Sequence, residues 1–324
     1  MKQRNRNIDV LRGMGIILVV IGHSLQATFE EHNSMIAFKA IYSFHMPLLM
    51  FVSGLAVAYT TSLDFSWIIK KIKSLLVPFL AWLVIPCLFT HDWTGYWEYL
   101  MSVFLYPDNA LWFLWSLFLN HCVFYVFWHL GRKNCLAFNI FLLVVLSPLT
   151  VIKAPLRINM MPWYYAFYII GYLTVKYQIK HHISKFFFPV LILSFGLWSL
   201  FLPLWNRDKL SYLSLWILKN FNIKSDIILF LIDKGLLLII SISGVIWFSL
   251  ISTRICRLKI SMLLEIIGTN SLEIYVLQGF FFNVFTLNNP YFRLVINTAT
   301  GLLIPLAISI TSHNGKINKL LFGR

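Results

Sequence analysis

The chain has 324 residues, 59% of them hydrophobic and 12% charged, with a formal net charge of +15. So little polar surface cannot coat a soluble globule of this size, and the composition is that of an integral membrane protein. The basic residues are dispersed among short segments between apolar runs, which excludes a nucleic-acid surface as the reason for the charge.

Each crossing of about 30 Å of hydrocarbon takes roughly 20 apolar residues, and about ten runs qualify: 9–28, 37–60, 75–91, 111–130, 136–152, 162–177, 186–205, 226–251, 262–285 and 293–312. They predict an all-α, polytopic membrane helical bundle of about ten transmembrane helices. Lys and Arg concentrate in cytoplasmic loops. Reading alternate loops as cytoplasmic collects Lys2, Arg4 and Arg6, Lys70, Lys71 and Lys73, Arg132 and Lys133, and the basic groups near 180, 257 and 319 on one side. The other side holds fewer, among them Arg157, Arg207, Lys219 and Arg293. Both termini are therefore expected in the cytoplasm. The basic N-terminus resembles a secretory signal, but the first run carries His23 and lacks a small-residue cleavage site, so it reads as an uncleaved helix.

In chain order, the first run, IDVLRGMGIILVVIGHS, holds Asp9, Arg12 and His23. Ionisable groups inside a span are functional candidates by default, because each is expensive in lipid. Arg12 and His23 are 11 positions apart, which on a helix puts them on one face about 16 Å apart along the axis. Taken alone, Arg12 also fits snorkelling to headgroups or pairing with Asp9, and His23 fits a buried interhelical hydrogen bond. The second run, YSFHMPLLMFVSGL, holds His45 at a depth comparable to His23, with Pro47 expected to kink the helix and Gly54 to allow close packing.

The third run is entered through Lys70, Lys71 and Lys73, which suit either anionic lipid or a polyanionic cofactor. The outer segment 91–110 and the start of the fourth run are rich in Trp and Tyr, including Trp112 and Trp115. Such residues form interfacial belts or stack on sugar faces. The segment LSYLSLWILKNF, Leu210 to Phe221, reads as a short interfacial helix that can cover a site. Four cysteines without paired spacing give no disulfide framework and no metal site.

These elements together resemble the acyltransferase-3 family, membrane enzymes that O-acetylate cell-surface polysaccharides and lipid-linked sugars with acetyl-CoA. The resemblance rests on DxLRG with its R-x10-H spacing (Asp9, Leu11, Arg12, Gly13, His23), FHMPLLMFVSG (Phe44 to Gly54) and a basic entrance ending in VPFLAW (Lys70 to Trp82). LWFLWSLF (Leu111 to Phe118), PWYYAFYIIGYL (Pro162 to Leu173) and IGTNSLEIYVLQ (Ile267 to Gln278) also match. The forms are most similar to the fucose 4-O-acetylase-like branch. The resemblance implies ten core helices, cytoplasmic acetyl-CoA and an acceptor at the outer leaflet. Many members carry His where this chain has Gln278, so no catalytic role transfers to that position. The SGNH domain of some members has no counterpart here, so residues 1–324 read as a single integral membrane acyltransferase domain without a soluble domain.

The expected activity is transfer of acetyl from acetyl-CoA to a sugar hydroxyl of a cell-surface polysaccharide or lipid-linked glycan, such as O-antigen or capsule, at the bacterial inner membrane. His23 is the expected base, while His45 binds the acceptor or polarises the carbonyl. Arg12 is expected to hold a CoA phosphate, and Lys70, Lys71 and Lys73 to attract the others. Trp112 and Trp115 are assigned to the sugar path, and Glu98 or Asp108 to orienting His23. Expected partners are acetyl-CoA, the glycan acceptor, membrane lipids and, in a homo-oligomer, a second copy of the chain. The chief alternative is a transporter or flippase of lipid-linked sugars, which does not consume acetyl-CoA.

Overall fold

Long apolar stretches that cannot leave backbone groups unpaired in lipid have one local solution, the α-helix. In a computed structural model, the described residues are 5–90, 93–105, 111–130, 155–179, 183, 185–207, 210–221, 226–285, 287–311 and 320–323. The expected run 136–152 and Asp108 lie outside them. Every regular element among the described residues is helical.

The chain forms α1 (Arg6–Thr28), α2 (Ile36–Tyr42), α3 (His45–Val57) and α4 (Phe65–Lys71), then a π-helical turn, Ile72–Leu76, that leads into α5 (Val77–Thr90). Next come α6 (Trp93–Leu105), α7 (Trp112–Leu130), α8 (Met161–Lys176), α9 (Phe187–Phe201) and α10 (Tyr212–Phe221). The chain continues through α11 (Asp226–Ile255), α12 (Ser261–Thr269), α13 (Ser271–Leu277), a 3-10 turn at Gln278–Phe281, and α14 (Pro290–Thr311).

Six helical segments among the described residues are long and apolar enough to cross a membrane: Arg6–Thr28, Ile36–Val57, Trp112–Leu130, Phe187–Leu204, Ile228–Ile255 and Pro290–Thr311. The protein is an all-α membrane helical bundle. Three expected runs differ in form. Run 75–91 is represented by the 14-residue α5 beyond the π turn, 162–177 by the 16-residue α8, and 262–285 by α12 and α13 with a break at Asn270. Within the outer segment expected as a loop, residues 93–105 form α6.

The chain divides into two compact units. The first comprises Met1–Val52 and Thr174–Ser309, the second Ser53–Leu173 and Ile310–Arg324. In the first unit α1 is the central helix. It starts at Asn5, whose side chain accepts from Asn7 N–H at 3.1 Å, and Arg6 reaches Glu265 and Ser261 at 3.0 and 2.8 Å. Two glycines let α1 and α12 touch backbone to backbone. A Cβ on Gly13 would lie 2.0 Å from the Leu264 carbonyl oxygen, and one on Gly268 would lie 1.8 Å from that of Asp9. At its other end, the Thr28 carbonyl accepts from Arg293 Nη2 at 2.8 Å, while Asn297 Nδ2 donates to Thr28 Oγ1 at 3.1 Å. The guanidinium there satisfies a carbonyl at the end of the helix.

α10 docks on α11 through Asp233, which accepts from Ser211 N–H at 2.7 Å and from Ser214 Oγ at 3.4 Å. Its anchored face is thus the serine face, whereas Tyr212, Leu215 and Trp216 are exposed.

In the second unit, Asp64 caps α4 by accepting from Trp67 N–H and Ser66 Oγ at 3.0 and 2.7 Å. The Ser66 hydroxyl, then the Trp67 N–H, hold this carboxyl below the usual carboxylate range. Gly54 takes α3 against α8 here, since its Cβ would sit 1.9 Å from the Tyr168 carbonyl oxygen. The C-terminal residues belong to the same unit: Trp82 Nε1 donates to the Leu321 carbonyl at 2.9 Å, and Phe322 is buried.

Candidate active site

The site in the first unit is built on the break between α2 and α3. Ser43 and Phe44 interrupt the helical run, and several contacts hold them. Trp198 Nε1 donates to Ser43 Oγ at 3.1 Å, and Ser241 Oγ donates to the Ser43 carbonyl at 2.6 Å. The Phe44 ring lies against Gly244, where a Cβ would approach within 2.7 Å, and among Trp198, Trp247 and Phe248. Pro47, expected at the kink, instead occupies the first turn of α3. Its missing N–H has no intrahelical partner to lose there.

The break makes His45 the first residue of α3 and points its Nδ1 at the Ile41 carbonyl, 2.9 Å away. A carbonyl oxygen only accepts, so Nδ1 carries the proton, and neutral His45 keeps its lone pair on Nε2. The residue is 1% exposed. Its ring meets the Tyr42 ring edge-on at 4.6 Å, and Tyr42 stacks on Phe38 at 3.9 Å. The Tyr42 hydroxyl bonds Gln26 Oε1 on α1. Its ring also rests on Gly22, where a Cβ would come within 2.8 Å. A residue without a side chain beside His23 therefore makes room for the aromatic partner of His45.

His23 itself is half-buried on α1 and interacts electrostatically with His45, so the structure brings together the two histidines singled out from the sequence. Two residues that sequence reasoning did not assign to the site join them. Gln278 lies close enough to His23 for its side chain to act on the imidazole, and its Oε1 is buried without a hydrogen-bond partner. The guanidinium of Arg207, from the turn after α9, lies 5.1 Å over the Tyr42 ring and acts electrostatically on both histidines.

Arg12 lies on the same unbroken helix as His23. Its Nη1 contacts Asp9 Oδ1 at 3.2 Å; the Arg12 side chain is 26% exposed and that of Asp9 3%. The pairing weighed from sequence is therefore present, and the guanidinium keeps an accessible edge.

The remaining sequence-assigned residues belong to the second unit. Lys70 and Lys73 are exposed, Lys73 within the π turn, while Lys71 Nζ lies 5.4 Å over the Trp67 ring. Trp115 Nε1 donates to the Leu156 carbonyl at 2.9 Å, and Trp112 packs on Tyr164 at 5.4 Å. Glu98 is exposed on α6. This unit also holds a buried polar pair that the sequence reading did not single out, His121 Nδ1 with the Tyr168 hydroxyl at 2.7 Å, edge-on to Trp67.

A carbonyl oxygen on one imidazole, an amide near the other and a guanidinium close by form a set of groups able to move a proton and meet a negative charge. Set in an all-α membrane bundle, they make a candidate centre for group transfer. Residues 5–312 match a family model described as an acyltransferase domain. The chain belongs to this family, acyltransferase-3, and is a membrane acyltransferase.

It is similar to "Nodulation protein NolL" of Sinorhizobium fredii (strain NBRC 101917 / NGR234), with 26% identity covering 98% of this chain and 92% of that one. It is also similar to "Nodulation protein NolL" of Mesorhizobium japonicum (strain LMG 29417 / CECT 9101 / MAFF 303099), with 24% identity covering 99% and 90%. No solved structure matches the chain significantly.

Proposed function

We propose that the protein is an O-acetyltransferase of the bacterial inner membrane, moving acetyl from cytoplasmic acetyl-CoA to a sugar hydroxyl of a cell-surface or lipid-linked glycan. The observation that carries this reading is that the Tyr42 ring meets His45, rests on Gly22 next to His23 and lies under the Arg207 guanidinium. In the reaction, the acceptor oxygen attacks the thioester carbonyl and its proton passes to His23. The carbon–sulfur bond of the tetrahedral adduct then breaks, and the proton returns to the leaving CoA thiolate. His45 Nε2, with its lone pair available, accepts a hydrogen bond from the acceptor. Arg207 supplies fixed positive charge where the oxyanion develops.

The basic residues of each unit keep the roles their charge suggests. Arg12 is assigned a CoA phosphate, with the pantetheine arm running along α1 over about 16 Å to His23. Lys70, Lys71 and Lys73 are assigned to attracting polyanions from the cytoplasm. Trp112 and Trp115 remain assigned to sugar contact.

The test uses everted membrane vesicles supplied with radiolabelled acetyl-CoA. Label should enter the glycan fraction with the wild-type protein and fail to do so with His23→Ala at equal protein abundance. Incorporation by His23→Ala at the wild-type rate would remove His23 from the mechanism.

A further inference from the structure

Gln278 stands where the family resemblance assigned nothing. It is 2% exposed at the start of the 3-10 turn after α13, in a segment set by the break at Asn270. That break is held by Asn270 Nδ2 donating to the Ile266 carbonyl at 2.7 Å and by Ser309 Oγ donating to Asn270 Oδ1 at 2.8 Å. The Gln278 amide is not free to flip: its Nε2 donates to the Tyr275 carbonyl at 3.1 Å. Its Oε1 is thereby left as the end able to accept from His23, and it is a buried acceptor without a hydrogen-bond partner.

An amide oxygen only accepts, so the imidazole nitrogen facing it carries the proton. A neutral imidazole has one N–H, and its other nitrogen keeps the lone pair. The Ile41 carbonyl does the same for His45. Both tethers are neutral, which adds no further buried charge beside Arg207.

We propose that Gln278 is the positioning residue of His23: its buried Oε1 accepts the imidazole N–H and turns the lone-pair nitrogen toward the acceptor hydroxyl. An approach short of a full hydrogen bond fits this role, since catalytic hydrogen bonds commonly tighten in the substrate complex. The proposal rests on His23 being the base.

The experiment compares Gln278→Met, which keeps size but has no acceptor, with Gln278→Glu, which keeps the acceptor toward His23 and loses the donor toward Tyr275. Both are assayed as full-length protein in everted vesicles with radiolabelled acetyl-CoA, beside wild type and His23→Ala. Gln278→Met should lower the maximal rate by about tenfold or more, with the KM for acetyl-CoA within about twofold of wild type. Gln278→Glu should recover most of the rate. Equal losses in both variants would show that the tie to Tyr275 is what matters, and a wild-type rate in Gln278→Met would show that no tether is needed; either overturns the proposal. If Gln278→Met fails to accumulate, a Gln278→Glu rate near wild type supports the proposal and a comparable collapse overturns it. Activity surviving in His23→Ala contradicts the base assignment itself, whereas an inactive His23→Ala beside a fully active Gln278→Met contradicts only the role of Gln278.

Discussion

Tyr42 links the groups of the site: its ring carries Arg207 on one face and meets His45 edge-on, and its hydroxyl reaches Gln26 on the helix that bears His23. The guanidinium is the partner with the clearest chemical consequence, because a fixed cation stabilises an oxyanion without reorganising. Arg207→Ala should lower the acetyl-transfer rate by about tenfold or more, and Arg207→Lys should restore part of it; an unchanged rate in Arg207→Ala would remove it from the site. Gly22→Val should act at the same place by steric means, pushing the Tyr42 ring from its seat and slowing transfer while protein abundance is maintained. His23 and His45 were legible in the sequence because imidazoles stand out in apolar runs. Arg207 was not, because in a charged loop it is indistinguishable from a topological cation. Gln278 was noticed only as a departure from a pattern, since a neutral amide gives no sign of which way its oxygen points.

At the level of elements, backbone contacts made by glycine join α1 to α12 in the first unit. Helix association in lipid gains little from the hydrophobic effect and depends on close packing and interhelical hydrogen bonds. A hydrogen bond such as Trp198 to Ser43 is worth about 0.6 kcal/mol on average in membranes. Forcing a side chain into a full contact costs about 1–3 kcal/mol. Gly13→Leu or Gly268→Leu should therefore lower the thermal midpoint of the detergent-solubilised protein more than Trp198→Phe does. The reverse order would mean that the α1–α12 approach is looser than described. The apolar runs disclosed that helices form, but not where they break. The interruptions at Ser43–Phe44 and Asn270 lie inside runs that read as single spans, and their positions are set by distant partners, Trp198, Ser241 and Gly244 for one and Ser309 for the other. Similarly, α10 is fixed through Ser211 and Ser214 to Asp233, a contact that a search for an apolar helix face passes over.

For the whole molecule, low charge and long apolar runs were enough to read a helical membrane bundle, and the distribution of Lys and Arg adds an orientation. On the orientation expected from Lys and Arg, which puts both termini in the cytoplasm, epitope tags at either end should be cleaved by protease in everted vesicles and protected in intact spheroplasts. A terminus cleaved in spheroplasts would contradict that orientation. The account as a whole joins a cytoplasmic acyl donor to a base within the membrane, and it is tested most directly by purified protein in lipid nanodiscs given radiolabelled acetyl-CoA and a glycan extract from cells lacking the gene. The expected result is label in ester linkage to the glycan and an equal yield of free CoA thiol, both lost in His23→Ala; transfer that persists in His23→Ala, or no consumption of acetyl-CoA by the wild-type protein, would contradict it.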